Sequence, residues 1–263
     1  MSAEPLVGEV AAVGRFRSSA ASHRGLRRHN EDSYVNRPDL GLWAVADGAG
    51  GHQAGDIASR TVSDALAAVP SGLGGAELLA EVRLRIADAH QLLQLQAMRL
   101  GPQAMLVTTV VVLLARHHRY ACLWAGDSRA YLLRRGRLRQ LTHDHSLVQE
   151  MLDCGEITPA EAENHPDANI ITRAIGGGEE TVELEKVCDR LRAGDRFLLC
   201  SDGLFKTVPE RELTGLLAAG ASPVAQRLVA AALDRRADDN VTAVAIETVP
   251  PKARQPEDNQ ASF

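Results

Sequence analysis

Short apolar runs rich in β-branched residues constrain the fold of this chain more than any other feature of its sequence. They lie at residues 42–46, 108–115, 120–125, 196–200 and 241–246. Runs of this length and composition are typical of strands buried in a sheet. Residues 130–133 and 138–141 flank Arg135-Gly136, a pattern that predicts a β-hairpin.

Between these runs, apolar residues recur with the period of an α-helix. Residues 56–69 and 76–100 each place Leu, Ile, Val and Ala on one helical face, and residues 223–233 form a shorter segment of the same kind. Strands interleaved with amphipathic helices predict a layered α+β fold, in which two sheets pack face to face and the helices lie outside them.

The composition argues against several classes of function. A chain of 263 residues with 45% hydrophobic content can build one good core, and its net charge of −5 is unlike that of a nucleic-acid-binding protein. No stretch reaches the roughly 18 apolar residues that span a bilayer. The four cysteines lack Cys-x-x-Cys spacing, so neither a zinc knuckle nor a disulfide framework is predicted. We expect a cytoplasmic protein with no nucleic-acid or membrane partner.

Acidic residues stand at the ends of the predicted strands, and this is the main indication of function. The positions are Glu31, Asp32, Asp47, Asp127, Asp202 and Asp239. A single Asp at a strand end is usually a turn residue, but several at one edge of a sandwich would bring their carboxylates together. Such carboxylates repel one another unless divalent cations bind between them. A site made only of oxygen ligands favours Mg²⁺, Mn²⁺ or Ca²⁺ over zinc.

At these positions the sequence resembles the PPM family, the protein phosphatase 2C (PP2C) type of metal-dependent Ser/Thr phosphatase, in its bacterial single-domain form. The matching motifs occur in the family's order and are Arg27-x-x-Asn30-Glu31-Asp32-Ser33, Ala46-Asp47-Gly48-Ala49-Gly50-Gly51-His52, Thr108-Thr109, Gly126-Asp127-Ser128-Arg129, Leu141-Thr142-x-Asp144-His145-Ser146, Asn169-x-x-Thr172-Arg173-Ala174-x-Gly176, Cys200-Ser201-Asp202-Gly203-Leu204 and Asp239-Asn240-Val241-Thr242. The resemblance implies a four-layer α-β-β-α sandwich, in which helix pairs flank two antiparallel β-sheets and the metal site lies at one end.

The resemblance also implies which residues hold the core metal ions, two Mn²⁺ or Mg²⁺. Asp47 should bridge the two ions. The Gly48 carbonyl and Asp32 should serve the second ion, and Asp202 and Asp239 should complete the first.

Three further residues receive roles in the same way. Asp127 should help to hold a third, weaker ion seen in bacterial relatives, and Glu31 should lie beside the second ion. Arg27 stands five residues before Asp32 and should bind the phosphate of the substrate. With Arg27 and Glu31 as catalytic residues, the implied reaction is hydrolysis of phosphoserine and phosphothreonine on proteins by a metal-activated water, without a phosphoenzyme.

The sequence departs from the family pattern at three positions. Ala49 stands where many bacterial members have Met and some eukaryotic members have a His proposed as general acid, so Ala49 cannot protonate a leaving group. Val107 replaces the usual Gly before the Thr-Thr pair, which raises a question about local backbone geometry. His23 replaces an Asp that is not a metal ligand in the family.

Two other groups of residues invite functional interpretations. His143-Asp144-His145 looks like a metal trio, but its place in a turn before a helix favours capping and solvation. Arg134, Arg135, Arg137 and Arg139 form a basic ribbon, which a solvated hairpin explains better than a docking patch.

The domain prediction is a loose N-terminus over residues 1–12, a phosphatase domain over 13–249 and a disordered tail over 250–263, with residues 147–169 as the variable flap of the family. Two alternatives to a protein phosphatase stay open: a catalytically silent relative that acts as a binding or scaffold module, and a phosphatase of small metabolites. The expected partners are phosphorylated targets of a bacterial Ser/Thr kinase, and a monomer is expected.

Overall fold

Two antiparallel sheets packed face to face form the centre of the molecule. The computed structural model describes residues 6–13, 15–50, 54–162, 165–178, 180–220 and 223–249. In spatial order, sheet 1 contains β1 (Val7–Val13), β2 (Phe16–His23), β12 (Val241–Thr248), β11 (Arg196–Cys200), β8 (Arg129–Arg134) and β9 (Arg137–Gln140).

Sheet 2 is built in the same antiparallel manner. Its strands, in spatial order, are β10 (Glu185–Arg190), β7 (Arg119–Ala125), β6 (Val110–Arg116), β4 (Leu42–Ala49) and β3 (Asp32–Arg37), and β5 (Val107–Thr108) pairs with the end of β4. The helices are α1 (Ala54–Ala67), α2 (Gly75–Leu100), α3 (Leu147–Cys154), α4 (Pro159–Ala162), α5 (Asp202–Phe205), α6 (Glu210–Ala218) and α7 (Val224–Asp234).

The core has three apolar layers, as a four-layer sandwich requires. Along β6, Val110 and Val112 pack against α1 and α2, whereas Val111 and Leu113 lie between the sheets, because successive strand residues point to opposite faces. A third cluster packs sheet 1 against α6 and α7. The prediction of an α-β-β-α sandwich with two antiparallel sheets is confirmed.

The predicted hairpin joins β8 to β9. Arg135 and Gly136 both have positive φ angles, of 53° and 76°, as a two-residue turn between right-twisted strands requires. Arg134 is not simply solvated, because its guanidinium bonds the buried carboxylate of Asp195 at 2.7 Å and that of Asp189 at 3.3 Å.

The N-terminal segment differs from its prediction. Residues 7–12, which were expected to be loose, belong to β1, and this strand pairs in full register with β2. The sequence of β2 is rich in Ser and Ala and lacks an apolar run, so neither β1 nor β2 was predicted from the sequence. The two strands pair through their backbones, and this pairing does not depend on side-chain polarity. Residues 1–5 and the predicted tail at 250–263 lie outside the described residues.

The predicted strand at 108–115 is divided into two. β5 ends at Thr108, and β6 begins at Val110, because Thr109 turns inward to bond the backbone of Asp47. Val107, where the family usually has Gly, pairs with Ala49 as an ordinary strand residue, so the substitution is accommodated. No helix among the described residues is long and apolar enough to cross a membrane.

Candidate metal centre

Asp32 and Asp47 face each other across adjacent strands of sheet 2. They are paired directly in the β3–β4 register. The backbone of Asp47 is fixed by the Thr-Thr pair, since its carbonyl accepts from Thr109 N at 2.8 Å and Thr108 Oγ1 at 2.9 Å, and its N–H donates to Thr109 Oγ1 at 3.1 Å. These three bonds hold the bend at which the apolar strand gives way to the acidic side chain.

Asp202 and Asp239 come from sheet 1. Asp202 is the first residue of α5, directly after β11, and Asp239 lies two residues before β12. Gly203 allows these segments to touch, because a Cβ at this position would lie 2.0 Å from the Asn240 carbonyl oxygen. Any larger residue there would force the two carboxylates apart.

Asn240 links this pair to the loop that carries Arg27 and Glu31. Its Oδ1 accepts from Glu31 N at 2.7 Å, and its Nδ2 donates to the carbonyls of Arg24 at 3.0 Å and His29 at 2.9 Å. Asn240 belongs to one of the family motifs, but no role for it was predicted from the sequence. An Asn beside an acidic residue at a strand start was the available signal, because its amide can bond backbone on both sides.

Asp127 follows β7 and is 5% exposed. The preceding Gly126 has a φ of 105°, and a Cβ there would lie 2.6 Å from the Thr109 side chain. Glycine therefore lets the chain turn sharply at this point and brings Asp127 beside the carboxylates already described.

One cleft collects almost all of the predicted site residues. It measures about 410 Å³ and is lined by Arg27, Glu31, Asp47, Gly48, Asp127, Asp202 and Asp239, among others. Asp32 lies behind this wall, 7% exposed, and its Oδ2 accepts from Ser201 Oγ at 2.7 Å. The structure thus brings together at one end of the sandwich every residue to which the sequence analysis gave a role in catalysis or metal binding.

The carboxylates from sheet 2 have strongly shifted pKa values. Burial raises the pKa of Asp47 well above its ordinary value, and nearby carboxylates, led by Asp32, raise it further. Burial raises the pKa of Asp32 to about 7, although hydrogen bonds from Ser201 and Thr242 oppose the shift. The pKa of Asp127 rises to about 7 through burial and the charge of Asp202. Raised pKa values of this kind are typical of clustered, buried carboxylates at functional sites, including sites that bind cations.

Two basic side chains of the protein already contact the acidic cluster. Arg27 Nη2 donates to Asp239 Oδ2 at 2.8 Å, and Lys206 Nζ lies 2.7 Å from Asp202 Oδ2. Lys206 also donates to Asn169 Oδ1 at 2.6 Å. Lys206 was not predicted from the sequence, in which its spacing of four residues from Asp202 is the one available signal.

The donor set fits hard divalent cations. Asp32 Oδ1 is buried and has no hydrogen-bond partner, as expected for an atom that binds an ion. The nearby donors are carboxylate and carbonyl oxygens, which suit Mg²⁺ or Mn²⁺. Within the described residues, no three His, Cys, Asp or Glu side chains lie close enough together to hold one ion in this conformation. Arg27 and Lys206 hold two of the carboxylates instead.

The residues His143, Asp144 and His145 are not a metal trio. His143 Nε2 forms a hydrogen bond with Asp153 Oδ2 at 2.6 Å. Arg129 donates to the Asp144 carboxylate through Nε and Nη2. His145 Nδ1 accepts a hydrogen bond from Gly126 N at 3.1 Å. Asp144 and His145 are each only 7% exposed, so the expectation of solvation is wrong for these two. Their hydrogen bonds position the segment beside Asp127.

Comparison with known proteins places the chain in a family. The family model for protein phosphatase 2C matches residues 20–238. Serine/threonine protein phosphatase PstP of Mycobacterium tuberculosis is 40% identical over 89% of this chain, which spans about half, 45%, of the length of that relative. Serine/threonine phosphatase stp of Listeria welshimeri is 37% identical over 84% of this chain and 91% of its own length.

Among solved structures, the catalytic domain of PstP in complex with two manganese ions matches with a TM-score of 0.79 and 38% identity, covering 90% of this chain and all of that domain. The chain belongs to the protein phosphatase 2C family. The family resemblance read from the motifs is confirmed.

Proposed function

We propose that this chain hydrolyses phosphoserine and phosphothreonine on proteins with the help of Mn²⁺ or Mg²⁺. The observation that carries the proposal is the convergence of carboxylates from both sheets at one cleft, where a buried Asp32 oxygen lacks a partner. The named relatives are serine/threonine phosphatases, and the PstP domain holds two manganese ions, which supports the same activity here.

The placement of the carboxylates supports a division of labour among them. Asp47 stands between the groups from the two sheets and suits the bridging position, with Asp32 and the Gly48 carbonyl on one side of it. Asp202 and Asp239 serve the other side. When bound, the ions supply Lewis-acid stabilisation of phosphoryl charge and lower the pKa of water.

Asp127 and Glu31 lie at the margins of this arrangement. Asp127 lines the cleft on the side nearest to Asp202 and suits an outer cation. The backbone N–H of Glu31 donates to Asn240, and this bond fixes the position of Glu31. The Glu31 carboxylate lies close to the backbone of Gly55, since a Cβ on Gly55 would be 2.8 Å from Glu31 Cδ. In this position Glu31 would help to hold the second ion when that ion is bound.

Arg27 binds and orients the phosphoryl group. Its side chain is 59% exposed at the mouth of the cleft, and Asp239 engages it through Nη2. A guanidinium carries five donors, so the remaining N–H groups suit the planar, two-point recognition of a phosphate. The ion pair with Asp239 aims the fork toward the metal positions rather than toward bulk solvent.

Protonation of the leaving group falls to a residue other than Ala49, which lines the cleft but has no titratable group. Asn169 and Ile171 form part of the wall of the cleft. The cleft reaches the surface at Arg27, which is 59% exposed, so a phosphorylated segment of a protein can enter it. We place the activity in the cytoplasm, in a monomer, on targets of a bacterial Ser/Thr kinase.

A catalytically silent module is the weaker alternative. Such a relative would have lost one or more of the carboxylates, whereas all of the predicted set is present and gathered at one cleft. The retained charges repel one another in the absence of cations, and a purely structural role would not require them.

The decisive test is hydrolysis of p-nitrophenyl phosphate and a phosphothreonine peptide with added Mn²⁺ or Mg²⁺, or with EDTA. We expect activity with either ion, none with EDTA, and resistance to okadaic-type inhibitors. Asp64→Asn, on the exposed face of α1, is the matched control for substitutions in the cleft. Full turnover in metal-stripped protein would contradict the proposal.

A further inference from the structure

Lys206 extends its ammonium into the acidic cluster from one helical turn beyond Asp202. Its Nζ lies 2.7 Å from Asp202 Oδ2. A second contact reaches a distant segment, because Nζ also donates to Asn169 Oδ1 at 2.6 Å, 37 residues away in sequence. The side chain is 36% exposed, so part of its charge is removed from solvent.

The ammonium lies at the boundary between two neighbouring clefts. Asp202 lines the cleft of the metal centre, and Lys206 lines an adjoining cleft of about 630 Å³. Asp127 and Asn169 line both. This places the Lys206 charge beside Asp127 and Asp202, the two residues that would hold an outer cation.

The electrostatics agree with this placement. Burial opposes the charged form of Lys206, yet the neighbouring carboxylates, above all Asp202, raise its pKa. The Lys206 charge in turn opposes the upward shift of the Asp127 pKa. The ammonium therefore neutralises part of the charge that an outer divalent ion would neutralise.

We infer that Lys206 is a built-in substitute for the outer metal ion, and that it ties the segment around Asn169 to α5. The inference rests on the proposed function, since it assumes that the two core ions bind at Asp47. A fixed ammonium repels a divalent cation a few ångströms away, so the two cannot share the position between Asp127 and Asp202. The protein then needs only two metal ions at saturation.

An ordinary surface ion pair between residues four apart would have neither consequence. Such a pair adds little to stability, and its removal leaves metal content and distant segments unchanged. The contact with Asn169 and the position beside Asp127 distinguish Lys206 from that case.

The test counts the Mn²⁺ ions bound to the full chain by equilibrium dialysis with elemental analysis, and follows unbound Mn²⁺ by its paramagnetic resonance signal. Wild type should bind two ions and Lys206→Met three at the same Mn²⁺ concentration. Lys186→Met, a substitution of an exposed lysine on β10, should bind two. Amide hydrogen exchange of residues 165–170 should become about tenfold faster in Lys206→Met, as expected for the loss of one charged hydrogen bond.

Asn169→Ala separates the two parts of the inference. It removes the link to the segment but leaves the ammonium beside Asp202, so exchange should quicken while the count stays at two. Should Lys206→Met fail to fold, judged by near-ultraviolet circular dichroism, Lys206→Gln is measured in its place and judged by the same count.

The outcomes decide between the inference and the function on which it rests. A third ion already present in wild type, or a count of two in Lys206→Met, overturns the inference while Mn²⁺-dependent hydrolysis leaves the proposed function intact. A wild-type protein that neither binds Mn²⁺ nor hydrolyses phosphothreonine peptide overturns both.

Discussion

The two sheets contribute carboxylates to the same cleft in different electrostatic settings. Sheet 2 provides Asp32, Asp47 and Asp127, whose pKa values are raised chiefly by burial. Sheet 1 provides Asp202 and Asp239, whose side chains are 15% and 36% exposed and pair with Lys206 and Arg27. The protein supplies its own cations to one half of the site but gives the Asp32 carboxylate only neutral donors, Ser201 and Thr242.

This contrast shows where an external cation is most needed. A buried carboxylate without a charged partner costs several kcal/mol, and a bound ion or a proton is the means of relieving that cost. A carboxylate that already pairs with Lys or Arg gains less. We therefore expect substitutions of the sheet 2 carboxylates to act mainly through metal affinity, and substitution of Arg27, which pairs with the sheet 1 carboxylate Asp239, to act mainly through substrate orientation.

The largest effect is expected for Asp47→Asn. In the proposed site Asp47 is a ligand of both core ions, so kcat/KM should fall by about a thousandfold or more, as the removal of several kcal/mol of Lewis-acid stabilisation implies. The metal-free variant should be at least as stable as the metal-free wild type, because an amide avoids a buried charge.

Calorimetric titration with Mn²⁺, steady-state kinetics and thermal melts in EDTA check these expectations, with Asp64→Asn as the control. Unaltered Mn²⁺ affinity in Asp47→Asn would break the contrast between the two sheets.

Arg27→Ala should produce the next largest effect. A lost charge-assisted hydrogen bond is worth about 1.5–3 kcal/mol, so each lost bond should lower kcat/KM for a phosphopeptide about ten- to a hundredfold. Arg27→Lys should recover only part, because an ammonium lacks the two-pronged geometry. Metal content should not change.

Arg60→Ala is the matched control, since Arg60 pairs with Asp56 on the surface of α1 at 2.6 Å. If Arg27→Ala keeps wild-type kcat/KM, the ion pair with Asp239 is only a surface contact, and some other group holds the phosphate.

Much of the fold could be predicted from the sequence because its central strands are apolar on both faces. β4, β7, β11 and β12 were visible as short runs, and α1 and α2 as amphipathic repeats. The edge strands β1 and β10 were not predicted. β10 is mostly polar and is held by pairing with β7, whereas β1 is mostly apolar but pairs with the Ser- and Ala-rich β2, which shows no strand pattern.

The candidate site was predictable to the extent that each carboxylate ends a strand within a motif. The residues that position these carboxylates were less accessible. Asn240 and Thr109 act through backbone hydrogen bonds between segments far apart in sequence. Lys206 meets Asn169 only because α5 and the segment around residue 169 lie side by side. Contacts of this kind depend on tertiary packing and leave no local pattern.

Asp127→Ala should have a smaller effect than either earlier substitution. Asp127 lies only at the outer cation position, where the Lys206 ammonium is proposed to replace an outer ion, so turnover should fall about tenfold, at the lower end of the losses seen for residues that support a metal site, and both core ions should stay bound. Kinetics at saturating Mn²⁺ and metal analysis of the purified variant measure the two quantities. Loss of the core ions, or unchanged turnover, would contradict the placement of Asp127 at the outer cation position. Asp127 would then not differ in role from Asp32 and Asp47, the other carboxylates of sheet 2.

The smallest effect concerns the stability of metal-free protein as a function of pH. The pKa of Asp32 rises from 3.8 to about 7 on folding, so the folded state holds a proton that the unfolded state releases. Its contribution to stability is complete below about pH 4 and is lost as the pH rises to about 7. Burial lowers the pKa of His145, which acts in the opposite direction, so the comparison with Asp32→Asn isolates the carboxylate. In EDTA, the melting temperature of wild type should fall relative to that of Asp32→Asn across this window by a few degrees or more, since about 1 kcal/mol corresponds to roughly 2–4 °C in a domain of this size.

Saturating Mn²⁺ should reverse the sign of this difference in melting temperature, because the ion binds the ionised carboxylate and only the wild type keeps that ligand. Parallel melting curves in EDTA at all pH values would show that Asp32 is compensated within the protein, and the contrast between the two sheets would then rest on Asp47 and Asp127 alone.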